Sequence, residues 1–351
     1  MKLKELRENR NLSQADLGNL LGVTRQTIAA WENGEREPNV MQVLKLGKYL
    51  EVSVDTIVSD SYDSDTVFLF RADNKDMLTD MIKFECVKRA SDYYDVEKII
   101  GSIPTIPITH HLYEYDPIII EKKAIETRDW LGIDDAPLGD VLNLLEEKGL
   151  KIIEICLDNE VSGFSAYHED KGGVIYINKN HPVERQYFTA LHELAHMIFH
   201  KKDYFEKSNF DKHQEKIREK IADHFAGALL LPRDVLEEEL KCFNKKWIPE
   251  PVLAELKQRY NVSLRTVLIR AEQIGIIPKN LCFKQIGFLN KKYGKISEKP
   301  ELYKQELRRL KRIVFTALMH EHISSSRAAE ILNKSLFDIK NELGNWLEME
   351  G

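Results

Sequence analysis

Residues 189–200 read TALHELAHMIFH. Phe188, Leu191, Leu194, Ala195, Ile198 and Phe199 recur so closely that a helix built here is apolar around much of its circumference and belongs in a core. Within it His192 and His196 stand four apart, so both imidazoles lie on one face, one turn apart. Glu193 sits beside them. Buried ionisable groups need partners, and a single metal ion satisfies all three. H-E-x-x-H on a helix is the spacing of a catalytic zinc site, with the glutamate able to take a proton from an attacking water. Chance alone produces it in roughly one chain in a hundred of this length, so the surroundings must decide.

Two histidines and an open position leave a third ligand to find. His200 lies about 12 Å along the axis from His192 at the helical rise, and no glycine breaks the helix between them. It cannot join both earlier histidines on one ion. Downstream, residues 215–232 read EKIREKIADHFAGALLLP, with Ile217, Ile221, Phe225 and Leu229 on an apolar face. Glu219 and Asp223, also four apart, share the neighbouring stripe. A carboxylate from Glu219 as third ligand leaves the fourth position open, the catalytic rather than the structural zinc pattern. Asp223, one turn on, can accept a hydrogen bond from a ligand histidine and fix its ring. His213 and His224 remain alternative ligands. For stabilising an oxyanion, Tyr187, His168, Tyr176 and His224 stand unranked.

Working outward, KKAIETRDWLG and LGDVLNLLEEKG carry helical periodicity, whereas GLKIIEICL, SGFSAYH and GGVIYIN read as strands. GGVIYIN precedes the histidine helix and could accept a peptide as an added strand, or be an internal strand. The stretch from Lys279 to Arg312 holds 11 Lys/Arg against 3 Asp/Glu, first of all a solvated face. LSQADLGNLLGVTRQTI (12–28) echoes ISSSRAAEILNKSLFDI (323–339), and AELKQRYNVSLRTVLIRA (254–271) shares the rhythm; such echoes are first of all ordinary helical pairs.

The N-terminus has its own logic. Ser13 with Asp16 makes a capping-box variant, and Leu17, Leu20 and Leu21 give the helix an apolar face. Gly22 allows a tight turn and Thr24 can cap RQTIAAWENG, in which Ile28 and Trp31 point inward. Thr24, Arg25, Gln26, Thr27 and Ala30 are then offered outward, as in a helix-turn-helix that reads the major groove. Arg suits guanine and Gln suits adenine, while Gln14 is placed for phosphate. Over about residues 2–58 this module, with its ENGEREP and VSVDTIV segments, resembles the Xre/Cro family of DNA-binding domains. Residues 1–60 hold 8 Lys/Arg against 9 Asp/Glu, which predicts weak non-specific affinity and a homodimer for tight operator binding.

Roughly residues 120–235 resemble the ImmA/IrrE family of metallopeptidases, through RDWLGI, LLEEKGLKII, IYIN, ERQYFTALHELAHMIFH and EKIADHFAGALLLP. The resemblance implies Zn2+ held by His192, His196 and Glu219, with Glu193 as general base. It also implies a repressor-like or antitoxin-like protein substrate whose cleavage de-represses stress, phage or mobile-element genes. FLFRADNKDM and SSSRAAEIL are likewise similar to segments of Xre–ImmA fusions.

The chain of 351 residues, net charge −6, has room for several domains. Its four cysteines are scattered with no C-x-x-C pair, and no apolar run approaches the ~20 residues of a membrane span. The expectation is a cytoplasmic, multidomain protein, mainly α with a small β-sheet (α+β). The segments expected are an all-α helix-turn-helix over 1–60, a linker and connecting helix over 61–115 (an acidic link, SDSYDSD, then a helix from about Lys75 to Ile100), a zincin-like domain over 116–240, and a helical, locally basic region over 241–351. A zinc endopeptidase joined to a DNA-binding head is the leading reading. Its rival is a regulator whose peptidase-like domain senses or dimerises and never cuts.

Overall fold

The computed structural model describes residues 3–10, 12–50, 57, 69–70, 80–102, 106, 109–204, 211–294 and 298–350. It is mainly helical with one small sheet, the multidomain α+β organisation expected. The acidic link at 59–65, nearly all of VSVDTIV and the start of the helix expected near Lys75 lie outside the described residues. Two compact units form: residues 1–67, 78–102 and 310–351 in one, and 68–77 with 103–309 in the other. Sequence texture alone grouped 61–115 and 241–351 as segments; each is shared between the two units.

In the first unit, α1 (Leu3–Asn9), α2 (Gln14–Leu21), α3 (Arg25–Glu32) and α4 (Val40–Leu50) enclose a core of Leu3, Leu17, Ile28, Trp31, Leu46 and Ile57. The capping box is formed: Asp16 N–H reaches Ser13 Oγ at 3.1 Å and Ser13 N–H reaches Asp16 Oδ2 at 2.8 Å. Gly22 ends α2 at φ 72°, the left-handed geometry that a side chain resists, and so turns the chain into α3. A separate core joins α5 (Asp80–Ile99) to the helices Arg309–Met319, Ser325–Ile331 and Leu336–Glu350, through Tyr93, Val96, Val314, Phe315 and Ile339.

The second unit holds the sheet: β1 (Leu69–Phe70), β2 (Lys151–Ile155), β3 (Gly163–His168) and β4 (Gly172–Asn178), in the order β1-β3-β4-β2. β3 and β4 are antiparallel, β2 and β4 parallel, and β1 pairs with part of the outer edge of β3, Leu69 opposite Tyr167 and Phe70 opposite Ala166. GGVIYIN is therefore internal, paired on both sides. It has no free edge to offer a peptide, so the added-strand role suggested by sequence does not fall to it.

The helices of this unit are α6 (Pro117–Leu131), α7 (Val141–Glu147), α8 (Val183–Phe199), α9 (Lys212–Leu230), α10 (Arg233–Leu240), α11 (Glu250–Tyr260), α12 (Leu264–Gln273) and α13 (Lys279–Tyr293). α8 packs on β3 and β4 and against α9, and Ala190, Leu191, Leu194, Ala195 and Ile198 are inaccessible. Gly163 sets how close helix and sheet come. A Cβ there would lie 2.5 Å from Tyr176 O and 2.7 Å from Thr189 Cγ2. Ser165 follows on the same face of β3, and Glu193 lies one turn after Thr189 on α8. The glycine contact thus brings strand and helix together where those two side chains stand.

The pair 254–271 becomes α11 and α12, whose Leu256, Leu264, Val267 and Leu268, with Val262 from the turn between them, enter the same core as α8. The reading as a structural helical pair accounts for those side chains.

Candidate functional site

α8 and α9 present their chemistry to one another. His192 Nε2 and His196 Nε2 are 3.0 Å apart. Glu219 Oε2 is 3.1 Å from His192 Nε2, and Glu219 Oε1 is 3.4 Å from His196 Nε2. Ligand atoms at zinc distances of 2.0–2.1 Å in a tetrahedron are separated by about 3.3 Å. The three side chains offer ligand atoms all within 4.8 Å of one another, so the donor set fits a zinc-sized ion. His196 is wholly buried, while the Glu219 side chain is 44% exposed. One side of the cluster therefore stays open to solvent.

The remaining ring nitrogens have partners. His192 Nδ1 lies 2.9 Å from Asp223 Oδ1, and His196 Nδ1 lies 2.9 Å from His200 Nδ1. Burial opposes charge on His192, but the hydrogen bonds to Asp223 and Glu219 and the nearby carboxylate charges outweigh it and raise its pKa to about 10. The pocket thus favours positive charge between these rings. Glu193 is buried behind them; its Oε2 accepts from Ser165 Oγ at 2.5 Å, and Ser165 Oγ also meets Tyr204 Oη at 2.6 Å. The cleft in front, about 290 Å³, is lined by Glu160, Val161, Ser162, Gly163, Phe188 and Thr189 together with His192, Glu193, Glu219 and Asp223.

The four residues entertained for oxyanion stabilisation are all engaged elsewhere, and none lines that cleft. Tyr187 Oη donates to Asp140 Oδ1 at 3.1 Å. Tyr176 is buried and stacked on Phe164. His168 Nδ1 accepts from the N–H groups of Asp170 and Lys171. His224 is held in a buried network: Nδ1 at 2.8 Å from Tyr115 Oη, and Nε2 at 2.9 Å from Glu121 Oε1. Both its nitrogens being committed, it is not a ligand in this arrangement. His213 is exposed in the first turn of α9, two turns before Glu219.

Arg270 completes that network. Its Nη1 and Nη2 grip Glu121 Oε1 and Oε2 at 2.7 and 2.8 Å, and its Nε donates to Leu231 O at 3.0 Å. Burial works to neutralise Glu121, yet the bonds from His224 and Arg270 prevail and lower its pKa to about 2. His200 was weighed only as a ligand, although its four-residue spacing from His196 marks it as that ring's partner; Ser165, Tyr204 and the Arg270–Glu121 pair were not identified from sequence at all. No short spacing marks them, because each meets its partner through the fold.

In the N-terminal module Thr24, Arg25 and Gln26 are exposed, while Thr27, Ala30 and Gln14 are half-buried. Thr24 caps α3 by accepting from Thr27 N–H at 3.2 Å. Gln14 Nε2 donates to Glu32 Oε2 at 2.9 Å, and Arg25 Nε reaches Gln14 Oε1 at 3.4 Å. Glu32 is buried and gripped by Arg7 Nε at 2.6 Å, a pair linking α1 to α3 that sequence reasoning missed. The amide of Gln14 is thereby oriented beside the first turn of α3.

Comparison with known proteins finds matches in two separate stretches of the chain. The model of the IrrE N-terminal-like domain family matches residues 145–272, and a helix-turn-helix model matches residues 3–57. An uncharacterized helix-turn-helix transcriptional regulator of Methanocaldococcus jannaschii is 43% identical over 56 residues, 16% of this chain and 85% of that protein. The transcriptional repressor RstR of the cryptic phage CTXphi, from Vibrio cholerae, is 38% identical over 60 residues, 17% of this chain and 54% of that protein. Among solved structures, a Mycobacterium tuberculosis transcriptional regulator aligns with a TM-score of 0.34 and 17% identity, over 53% of this chain and 50% of its own. The chain belongs to the Xre-type helix-turn-helix transcriptional regulators, and behind that module it carries an IrrE N-terminal-like domain.

Proposed function

We propose that the chain is a cytoplasmic regulator that binds an operator through its N-terminal module and, through its second unit, acts as a zinc-dependent endopeptidase on a repressor-like or antitoxin-like protein. One observation carries the peptidase reading: two imidazole nitrogens and a carboxylate converge within 4.8 Å on one solvent-open side. His192, His196 and Glu219 would hold the ion. Zinc, when bound, supplies Lewis acidity at that open side.

The chain's own groups do the rest. Asp223 fixes the ring of His192, and His200 that of His196, so each presents Nε2. Glu193, held by the Ser165 hydroxyl, takes a proton from the attacking water and returns it to the leaving amine. On the DNA side, Arg25 and Gln26 address base edges and Gln14 a phosphate, with Thr24, Thr27 and Ala30 flanking them. The balanced charge of the module favours binding as a homodimer, whose two half-sites add their affinities.

The experiment is incubation of zinc-loaded protein with repressors encoded beside its gene, with and without a chelator, reading fragments by mass spectrometry. Chelator-sensitive cleavage supports the reading. Intact repressors beside fully zinc-loaded protein leave the non-cleaving regulator.

A further inference from the structure

Beside the cleft lies a second, larger hollow of about 630 Å³, open on one side and lined mainly by α8, α9 and α12. Phe188 and Asp223 line both, so the two spaces are neighbours along one surface. Most charges around the hollow are neutralised in pairs. Glu184 binds Lys257, Glu298 binds Arg265 at 2.5 Å, Arg270 grips Glu121, and Asp223 meets His192.

Arg185 differs. Its Nε and Nη2 donate only to the Ser162 hydroxyl, at 3.1 and 2.8 Å, and among the described residues no carboxylate comes within ion-pair distance. Ser162 itself lines the cleft. A guanidinium has five donors in a planar fork suited to a carboxylate, and here most of that fork is unused. Burial without a counter-charge disfavours its cation, so an incoming anion would be met by a group short of compensation. Gln273 Oε1, in the wall of the same hollow, is buried with no hydrogen-bond partner. A ligand carrying both a carboxylate and an N–H donor, which a polypeptide does, answers both.

We propose that the hollow is a specificity subsite in which Arg185 receives an aspartate or glutamate side chain of the polypeptide lying in the neighbouring cleft. The proposal rests on the peptidase reading. A charged partner in a partly enclosed site, paired by a bidentate fork, discriminates acid from amide by roughly tenfold or more.

The test digests a proteome-derived peptide library with zinc-loaded wild-type protein and with Arg185→Gln, Arg185→Lys and Arg185→Glu, zinc content and circular dichroism confirming that each is folded and loaded. Wild type is expected to enrich Asp or Glu at one fixed position from the cut. For a cleaved sequence and its amide counterpart, the ratio of kcat/KM values should fall about tenfold in Arg185→Gln, fall partly in Arg185→Lys and invert toward basic residues in Arg185→Glu. A purely structural arginine would move both peptides together. Binding of a fluorescently labelled copy of that acidic cleaved sequence to Glu193→Gln protein, and its loss in the Glu193→Gln/Arg185→Glu double variant, gives a readout independent of turnover. Cleavage with no acidic preference, or a preference unchanged in Arg185→Glu, overturns the subsite and leaves the peptidase standing. No cleavage of any peptide or repressor overturns the peptidase reading and the subsite with it.

Discussion

Ser165 and Glu193 meet at 2.5 Å across the seam between β3 and α8, and Gly163 and Thr189, two residues and one turn earlier, make the close approach beneath them. The general base of the proposed reaction is thus held by a strand, whereas the proposed ligands come from helices. Glu193→Gln should lower cleavage by a factor on the order of 10²–10⁴ with zinc content and operator binding intact. Ser165→Ala should lower kcat about tenfold, and Ser165→Thr should restore most of it. Full turnover by Glu193→Gln would remove its assigned role.

The convergence of His192, His196 and Glu219 predicts one zinc per chain in wild type, measured by atomic emission on purified protein. His196→Ala and Glu219→Ala should each abolish stoichiometric zinc. His200→Ala leaves all three proposed ligands in place but frees the ring of His196. Its zinc affinity should drop roughly 10- to 100-fold, read by competition with a chromophoric chelator; unchanged affinity would make His200 a packing residue.

Glu121 supplies a pH signature. Its pKa is lowered from 4.5 to about 2 in the folded chain, so the carboxylate's contribution, roughly 3 kcal/mol at full strength, is present above about pH 4.5 and is lost as pH falls through 2. Glu121→Gln should destabilise the second unit by roughly 3–5 kcal/mol at neutral pH, because it strands the buried Arg270 cation. It should also flatten that acid limb in thermal melts taken from pH 5 down to 2. A variant as acid-sensitive as wild type would refute the assignment.

For DNA, Arg25→Ala combined with Gln26→Ala should cost on the order of 10²–10³ in affinity for the selected operator, at roughly 1–3 kcal/mol per lost base contact. Non-specific binding and the melting temperature should change little. Fluorescence anisotropy against operator and scrambled duplexes separates the two. Operator affinity equal to wild type would mean that another element reads the bases.

What sequence revealed follows from how local each feature is. The helix-turn-helix was legible because Ser13–Asp16, Gly22 and Thr24 are caps and turns whose chemistry acts over three or four residues. His192 with His196, and Glu219 with Asp223, were legible because one helical turn brings each pair together. The meeting of the two pairs depends on packing between α8 and α9; the need for a third ligand and the family resemblance pointed to it, but no local spacing fixes it. Ser165, Tyr204 and Arg185 carry no short-range signature at all. GGVIYIN reads the same whether a strand lies at an edge or inside, since both faces of β4 are buried, and only the pairing order distinguishes them.

The grip of Arg270 on Glu121 also bears on how the second unit can be cut. A fragment ending at residue 240, where the sequence texture changes, would keep Glu121 and His224 but discard their buried counter-charge and the helix that seals the core above them. The smallest self-sufficient piece must run at least through α12. Proteolysis or gene fission upstream of it would release the His192–His196–Glu219 cluster complete in its residues yet without the scaffold that keeps it folded.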